Sequence, residues 1–226
     1  MMTTGDATDY GDLTVGRDII TGGGNSIRGI FAGGRTAPAG AFTNVIDFIT
    51  IATLGNAADF GDLQAAAYMA GKSTASSSLR MVMTMPNTPS FQAGFDFVEI
   101  ATTGNGPDFG NLTQGRQGLG TVSNSLRGVF ASGLTPSNTN TMDFVTIATT
   151  GDAQDFGDLI EGYNGPGSAG CSSSTRGLTM GGRNISGTTI SRIEYITIAT
   201  TGNSARFGDL TQDVRFQSAT SDKTRA

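Results

Sequence analysis

An aromatic-Gly-Asp/Asn-Leu element occurs five times along the 226 residues of this chain, at steps of 50, 49, 47 and 51 residues. A second marker, an Arg after a Ser-, Asn- or Thr-rich stretch, recurs at steps of 52, 47, 49 and 49 residues. Two markers that keep one period of about 49 residues indicate a tandem array, in which each unit buries its apolar surface against its neighbours. The markers are Tyr10, Phe60, Phe109, Phe156 and Phe207, and Arg28, Arg80, Arg127, Arg176 and Arg225.

Each unit is predicted to form four short antiparallel strands. A run of apolar and small residues follows the Arg, as at 29–34, and we expect it to pair with the more regular apolar run at 45–52. A Gly-Asn/Asp turn then leads into the aromatic-Gly-Asp-Leu element, and an Ala/Ser-rich strand closes the unit. Gly, Asn and Asp concentrate at these junctions because turns need positive φ or a local side-chain bond.

The regular strand predicts how the units stack. In its first copy Ile49 and Ile51 point to one face, while Ile46 and Phe48 point to the other. A strand that is apolar on both faces must be covered on both sides, as in a propeller blade held between two neighbouring blades. The sequence therefore predicts an all-β β-propeller of four-stranded antiparallel blades. We expect four complete units at 15–65, 66–114, 115–161 and 162–212, with 1–14 and 213–226 forming a partial unit.

The two ends do not add up to a whole unit. Residues 3–14 read as a closing strand, and residues 213–221 read as an opening strand. A fifth blade made from these ends would lack its two middle strands. Three arrangements fit this pattern: a fragment of a longer array, a four-bladed ring with an extra end, and a subunit that a neighbour completes.

The charge balance argues against nucleic acid and membrane partners. The chain has 14 Lys and Arg against 19 Asp and Glu, and its pI is near 4.6. Phosphate backbones and anionic lipid surfaces need a clustered basic face, whereas lysine occurs only at Lys72 and Lys223. No run approaches 18 apolar residues, and the first residues do not resemble a signal peptide. We expect neither membrane insertion nor a secretion signal.

The residue types exclude most catalytic chemistry. The chain contains no His, which removes Ser-His-Asp and Cys-His arrangements and histidine acid–base catalysis. No phosphate-binding loop or dinucleotide fingerprint follows a predicted strand and opens a helix. The single cysteine, Cys171, lies in an Ala-Gly-Cys-Ser-Ser run that is typical of a small buried residue. Paired carboxylates remain as candidates for acid–base chemistry, but the acids occupy equivalent positions of the repeat, which indicates an architectural role. We therefore expect a protein that is not an enzyme and uses no cofactor.

Acidic loops before the closing strands raise the question of calcium. The spacings Asp6-x-x-Asp9-x-x-Asp12 and Asp152-x-x-Asp155-x-x-Asp158 supply the oxygen ligands that Ca²⁺ prefers, but not the spacing of an EF-hand loop. The other copies replace acids with Asn or, in the fifth, with Arg206. The pattern favours side chains that bond to their own turns, and we predict no metal site.

Each unit also carries an Arg followed by one acid 16 to 19 residues later, a separation that suits a hairpin. Arg binds a carboxylate with two parallel hydrogen bonds. The sequence therefore predicts a repeated structural ion pair, with a ligand-binding ring of arginines as the alternative. The predicted pairs are Arg28 with Asp47, Arg80 with Asp96, Arg127 with Asp143, and Arg176 with Glu194.

The order of the repeated Arg, Gly-Gly and aromatic residues resembles the kelch repeat. Arg17, Arg116 and Arg215 follow the closing aromatic by seven or eight residues, like the Arg that opens a kelch unit. The double Gly of the kelch repeat is present at 33–34 and 181–182. The chain departs from the family in its closing Trp, because it contains no Trp and uses Phe or Tyr instead. The resemblance implies a propeller and, as one functional alternative, an intracellular scaffold that recruits a protein partner.

A closer resemblance is to kelch-like repeats in structural proteins of marine cyanobacterial phages. Residues Ser173–Gly177, Ile193–Asn203 and Asp155–Leu159 are similar to the repeated motifs of those proteins almost residue for residue, and the resemblance covers essentially the whole chain. It implies a virion component of a tail or other surface appendage, assembled in the host cytoplasm.

The loops between the second and third strands vary most from unit to unit, at 35–44, 86–93, 134–140 and 183–191. Equivalent loops emerge on one face of a propeller, so their residues can change partners without disturbing the blades. We expect this face to contact a host glycan, a host protein or another virion protein, and we also expect self-association. The candidate contact residues are Phe42, Asn44, Phe91, Gln92, Asn138, Asn140, Arg183 and Asn184.

Overall fold

The computed structural model describes residues 6–36, 40–67, 74–85, 91–137, 139–164, 169–215 and 219–221. The regular structure in these ranges consists of β-strands. In chain order they are β1 (Arg17–Asp18), β2 (Thr21–Gly24), β3 (Arg28–Ala32), β4 (Arg35–Thr36), β5 (Val45–Thr50), β6 (Ala58–Asp62), β7 (Thr74–Ser76), β8 (Arg80–Thr84), β9 (Gly94–Glu99), β10 (Asp108–Asn111), β11 (Gly120–Ser123), β12 (Arg127–Ala131), β13 (Thr139–Thr146), β14 (Gln154–Asn164), β15 (Ala169–Ser172), β16 (Arg176–Met180), β17 (Arg183–Asn184), β18 (Arg192–Thr197) and β19 (Ala205–Asp209).

Four antiparallel sheets are arranged as the blades of a four-bladed β-propeller, which confirms the predicted fold. Their strand orders are β2-β3-β5-β6 in blade 1, β7-β8-β9-β10 in blade 2, β11-β12-β13-β14 in blade 3 and β15-β16-β18-β19 in blade 4. The short strand β17 extends blade 3 beyond β14, and β1 pairs with β4 in a separate two-stranded sheet.

The strand pairing predicted for the first unit is confirmed. Strand β3 pairs with β5 from Arg28 opposite Thr50 to Ala32 opposite Ile46. The pairing of β5 with β6 contains a bulge between Ile46 and Asp47, and blades 2, 3 and 4 have a bulge between their third and fourth strands as well. A bulge increases the local twist of a sheet, so the repeated bulges give the four blades a similar shape.

The blades present two different faces. Because neighbouring strands within a blade are antiparallel, the first-to-second and third-to-fourth strand turns lie at one end of each sheet. We call this end the turn face. The second-to-third strand loops and the connections between blades lie at the other end, which we call the loop face. The described parts of the second-to-third strand loops are 33–36, 40–44, 85, 91–93, 132–137 and 181–191.

The first strands of the blades lie side by side in the same direction. The Ser123 hydroxyl accepts from the Ser76 N–H and donates to the Ser76 carbonyl, both at 3.4 Å. Ser172 makes the same two bonds to Ser123, and Ser221 makes them to Ser172. Small residues are required here, since a Cβ on Gly170 would lie 2.1 Å from the Thr121 carbonyl oxygen.

The aromatic-Gly-Asp-Leu element forms what we call the strap, which joins each blade to the next. The Phe109 carbonyl accepts from Gly151 N–H at 2.7 Å, and the Asn111 carbonyl accepts from Ala153 N–H at 2.8 Å. A Cβ on Gly110 would lie 2.3 Å from the Gly151 carbonyl oxygen. The strap on blade 1 comes from residues 10–12, whose Tyr10 carbonyl accepts from Gly55 N–H. The other straps are residues 60–62, 109–111 and 156–158.

Apolar side chains fill the spaces between blades. Phe95 and Phe130 come from blades 2 and 3, and their ring centroids lie 4.8 Å apart. In blade 3 both faces of the third strand are covered, with Met142 and Ile147 fully buried. In blade 1, by contrast, Ile51 is 48% exposed. The prediction of a strand covered on both sides therefore holds better in blade 3 than in blade 1.

Candidate functional site

The third strand of every blade carries one buried carboxylate, but the predicted arginine partners are wrong. Side chains alternate along a strand, and the register places Arg28 opposite Thr50, three positions from Asp47. Arg28 and Asp47 therefore lie on opposite faces of the sheet. The same correction applies to the pairs Arg80–Asp96, Arg127–Asp143 and Arg176–Glu194.

These arginines instead stack on aromatic rings. The guanidinium carbon of Arg127 lies 4.6 Å from the ring centroid of Phe144, and its Nη1 donates to the Ala199 carbonyl of the next blade at 2.9 Å. Such a stack contributes about 0.5–2 kcal/mol. In blades 1 to 3 the repeated Arg also donates to a backbone carbonyl of the next blade, and Arg80 forms a further ion pair with Glu99. The other stacks join Arg28 to Phe48, Arg80 to Phe97 and Arg176 to Tyr195.

The true partners of the buried acids come from the segment after each strap. Arg116 contacts Asp143 at 2.9 Å, and both side chains are fully buried. Thr113 completes the site, because its hydroxyl donates to Asp143 at 2.7 Å and its N–H donates at 3.1 Å. In blade 1, Arg17 contacts Asp47 at 3.0 Å in an equally buried pair. Burial lowers the pKa of both arginines, against the influence of their aspartates.

In blade 4 the buried carboxylate of Glu194 is bound by different residues. Tyr163 occupies the position of the arginine, and its hydroxyl donates to Glu194. Ser204 Oγ donates to the other oxygen of Glu194 at 2.5 Å, and Arg192 approaches the carboxylate at 3.7 Å. Burial, together with the neighbouring Glu194, raises the pKa of Tyr163 well above its usual range. The phenol therefore stays neutral and acts as a donor.

In blade 2 the buried carboxylate, Asp96, lacks the Arg or Tyr partner that the other blades supply from the described segment after the strap. Ala67 stands where the other blades have Arg or Tyr. From the described residues, Asp96 accepts hydrogen bonds from the Gln64 side-chain amide at 2.8 Å and from the Gln64 N–H at 2.9 Å. Burial raises the pKa of Asp96, and nearby Asp108 adds to the shift. Among the described residues no Lys or Arg forms an ion pair with Asp96.

The candidate contact residues of blades 1 and 2 lie on the loop face. Phe42 is half-buried and forms a β-bridge with Arg35. Asn44 is also half-buried, and its carbonyl accepts from Leu63 N–H. In blade 2, Phe91 is 37% exposed and Gln92 is exposed.

In blades 3 and 4 the candidate side chains make local bonds. Asn140 Nδ2 donates to the Leu159 carbonyl at 3.3 Å. Arg183 is exposed, and its Nε donates to the Gly187 carbonyl at 2.6 Å. Asn184 Oδ1 accepts two backbone N–H groups of its own turn. Asn138 lies outside the described residues.

Two grooves on the loop face gather some of these residues. The first has a volume of about 680 Å³ and lies between residues 134–137 of blade 3 and 183–187 of blade 4, so it includes Arg183 and Asn184. The second, of about 470 Å³, belongs to blade 2 and brings Phe91 and Gln92 together with Asp96. Phe42, Asn44 and Asn140 line neither groove.

The turn face carries a row of exposed aliphatic side chains that the sequence did not predict. Ile27, Leu79 and Leu126 are 63%, 69% and 66% exposed, and each directly precedes a repeated Arg. The turns are joined between blades, since Asn25 Nδ2 donates to the Ser78 carbonyl at 2.8 Å. The signal was a Ser-Ile/Leu-Arg triplet at each of these turns, which reads as an ordinary strand start until the register is known.

The acidic loops use their oxygens within the backbone. Asp9 Oδ1 accepts from Gly11 N–H at 3.1 Å, which is the predicted Asx-type turn. Asp152 Oδ1 accepts from the N–H of Asn111 at 2.9 Å, and so holds the strap of the preceding blade. No group of three or more potential metal-ligating acids, cysteines or histidines occurs in the part of the chain that the structure describes.

Comparison of the chain with protein-family models finds no match, and comparison with curated proteins finds none either. The described ranges also contain no helix that is long and apolar enough to span a membrane. Function is therefore inferred from the two faces of the propeller and from the buried acids beneath them.

Proposed function

We propose that this chain is a non-enzymatic virion structural or adhesive protein, of tail-fibre or surface-appendage type, that acts through its loop face. Its target is a host surface glycan or protein, or a neighbouring viral subunit. The virion role is supported by the resemblance of residues 155–159, 173–177 and 193–203 to phage structural repeats. The binding role is supported by the groove between blades 3 and 4.

That groove is the single observation that carries the binding role. Its two walls, 134–137 and 183–187, belong to loops that vary between units, while the strands beneath them repeat. Variable loops on a constant frame allow the contact surface to change without loss of the fold. Ile185 is 65% exposed and Arg183 is exposed, so the groove offers both an apolar and a cationic group.

The alternative is an intracellular scaffold of kelch type that recruits a protein through the same loops. Both functions use the same face, so they differ in where the protein is found. Mass spectrometry of purified phage particles separates them, because a virion protein is recovered in stoichiometric amounts from the particles and a scaffold protein is not.

A matched pair of variants tests the use of the loop face. Ile185 and Leu126 are aliphatic and 65% and 66% exposed, but they lie on the loop face and the turn face respectively. Ile185→Ser should reduce attachment to host cells or incorporation into particles, while Leu126→Ser should leave both unchanged. Replacing 134–137 and 183–187 with Gly/Ser linkers should have the larger effect.

The far-ultraviolet circular dichroism spectrum of each variant confirms that it is folded. If the loop-replaced protein is folded and still attaches and assembles normally, the proposed contact surface is wrong. Loss of attachment in Leu126→Ser alone would assign the contact to the turn face.

A further inference from the structure

We propose that the blade 2 groove above Asp96 is a binding site for an arginine side chain of a partner protein. The site is separate from the groove between blades 3 and 4, so the proposal goes beyond the virion role and does not depend on it. It follows from a comparison of blade 2 with the other blades of the same chain.

The repeat itself shows what this position accepts. Four and seven residues after the strap aromatic, blades 1 and 3 place Thr and Arg against the buried acid, as Thr113 and Arg116 do against Asp143. The segment that serves blade 2 has Gln64 and Ala67 at these positions. Gln64 replaces the hydroxyl donor, but nothing from Ala67 replaces the guanidinium.

The Asp96 carboxylate that remains is buried, and the described residues that line the groove beside it are neutral or acidic. Asp96 is 2% exposed, and both of its donors come from the uncharged Gln64. A carboxylate has about four acceptor sites, so two bonds from Gln64 leave it able to accept more. Asp108 also lines the groove, and the local field therefore favours a cation. A buried charge without a counter-charge is costly.

Asp96 lines the groove together with Gln64, Met85, Phe91 and Gly115. A cation that enters the groove therefore approaches the Asp96 side chain. Phe91 is 37% exposed and supplies the aromatic surface on which a guanidinium stacks. The same combination of guanidinium and ring recurs in all four blades, at distances of 4.3 to 4.7 Å.

An arginine fits the site better than a metal ion does. Among the described lining residues, two carry carboxylates, Asp96 and Asp108, whereas Ca²⁺ takes six to eight oxygen ligands. Arginine needs one carboxylate and a flat apolar surface. Burial raises the pKa of Asp96, so binding should strengthen with rising pH as the carboxyl ionises.

The test uses a capped Gly-Arg-Gly peptide and its citrulline analogue, which has nearly the same shape but no charge. Titration is followed by the backbone amide NMR signals of Gln64 and Asp96 in the full chain. The arginine peptide should shift these signals saturably, and the citrulline peptide should bind at least about tenfold more weakly. Equal binding of the two peptides, or no saturable shift, would overturn the proposal.

Four variants locate the site. Asp96→Asn should abolish the shift, while Asp155→Asn removes one exposed acid of blade 3 and should leave it unchanged. Ala67→Arg should block the peptide by supplying the cation from within the chain; if it does not fold, Asp96→Asn still decides the question. Lys72→Gln should bind like the wild type, and binding that appears only in this variant would show that the chain supplies its own cation.

Discussion

Replacing Arg116 by Ala should destabilise blade 3 far more than replacing Arg127 by Ala. The Arg116 side chain and its partner Asp143 are both fully buried. Breaking a buried pair costs about 3–5 kcal/mol because it leaves an uncompensated charge. Arg116 also donates to the Phe130 and Thr141 carbonyls at 3.2 and 3.1 Å, and these acceptors would lose their donor. Thr113 still binds Asp143, so we expect the loss to lie near the middle of that range.

Arg127 provides the matched comparison within the same blade. Its removal forfeits a stack on Phe144 and bonds to the Ala199 and Ile198 carbonyls. These contacts lie near the surface, and we expect a loss of about 1–2 kcal/mol. The difference between the two variants distinguishes the observed partner of Asp143 from the one that the hairpin spacing predicted.

The assay is urea unfolding followed by circular dichroism, with native-state hydrogen exchange to locate the effect. Stacked repeats can unfold in parts, so the exchange of blade 3 amides is the sharper readout. The double variant Arg116→Met/Asp143→Leu should recover most of the loss, since apolar replacement of a buried pair is often neutral. Equal unfolding midpoints for Arg116→Ala and Arg127→Ala would refute the reasoning, as would a double variant no more stable than Arg116→Ala.

The pKa of Asp96 is raised in the folded state, so its protonation favours folding below about pH 4, and this contribution is lost as pH rises through the folded-state pKa. Thermal unfolding should therefore show the wild type losing stability relative to Asp96→Asn over that pH window. A stability difference that stays constant with pH would contradict this prediction. Gly110→Ala should lower the free energy of unfolding by about 1–3 kcal/mol more than Gly151→Ala does. Both glycines have positive φ (142° and 153°), but a Cβ at 110 would lie 2.3 Å from backbone, whereas a Cβ at 151 would meet nothing within 4 Å. Equal melting temperatures for the two variants would show that the strap is not closely packed against the next blade. Addition of EGTA should leave the melting temperature unchanged, because Asp9 and Asp152 bind backbone amides, and a sharp drop would assign a metal to those loops.

The blade architecture could be predicted from the sequence because it depends on local order. The repeat period sets the blade size, and two-sided apolar strands such as Met142 to Ile147 require neighbours on both sides. Turn residues then mark where each strand ends. None of these signals needs knowledge of contacts between distant residues.

The partners of the buried acids could not be predicted in the same way. The separation of Arg127 and Asp143 suits two neighbouring strands of a hairpin, but a change of one residue in the register moves a side chain to the other face of the sheet. The true partner, Arg116, precedes the blade and reaches it through a connection whose course depends on packing. Its spacing from the strap aromatic was visible in the sequence, but only as a family resemblance and not as an ion pair.

The positions of some candidate contact residues could be predicted from the sequence, and those of others could not. Loop variability placed Phe91, Gln92, Arg183 and Asn184 in the loops that line the two grooves. Composition could not show that Asn140 lies within strand β13 and bonds to a carbonyl. The importance of Asp96 became visible only when its blade was compared with the other three.

The strap has a consequence for how such arrays change in number. Its bonds use backbone carbonyls and amides around a glycine, as Phe109 and Asn111 show with Gly151 and Ala153. These main-chain bonds can form whatever side chains flank the strap, whereas the buried acid pairs and the aromatic contacts between blades depend on sequence. Recombination between copies can therefore add or remove a unit of about 49 residues and leave the backbone bonds of every remaining strap the same.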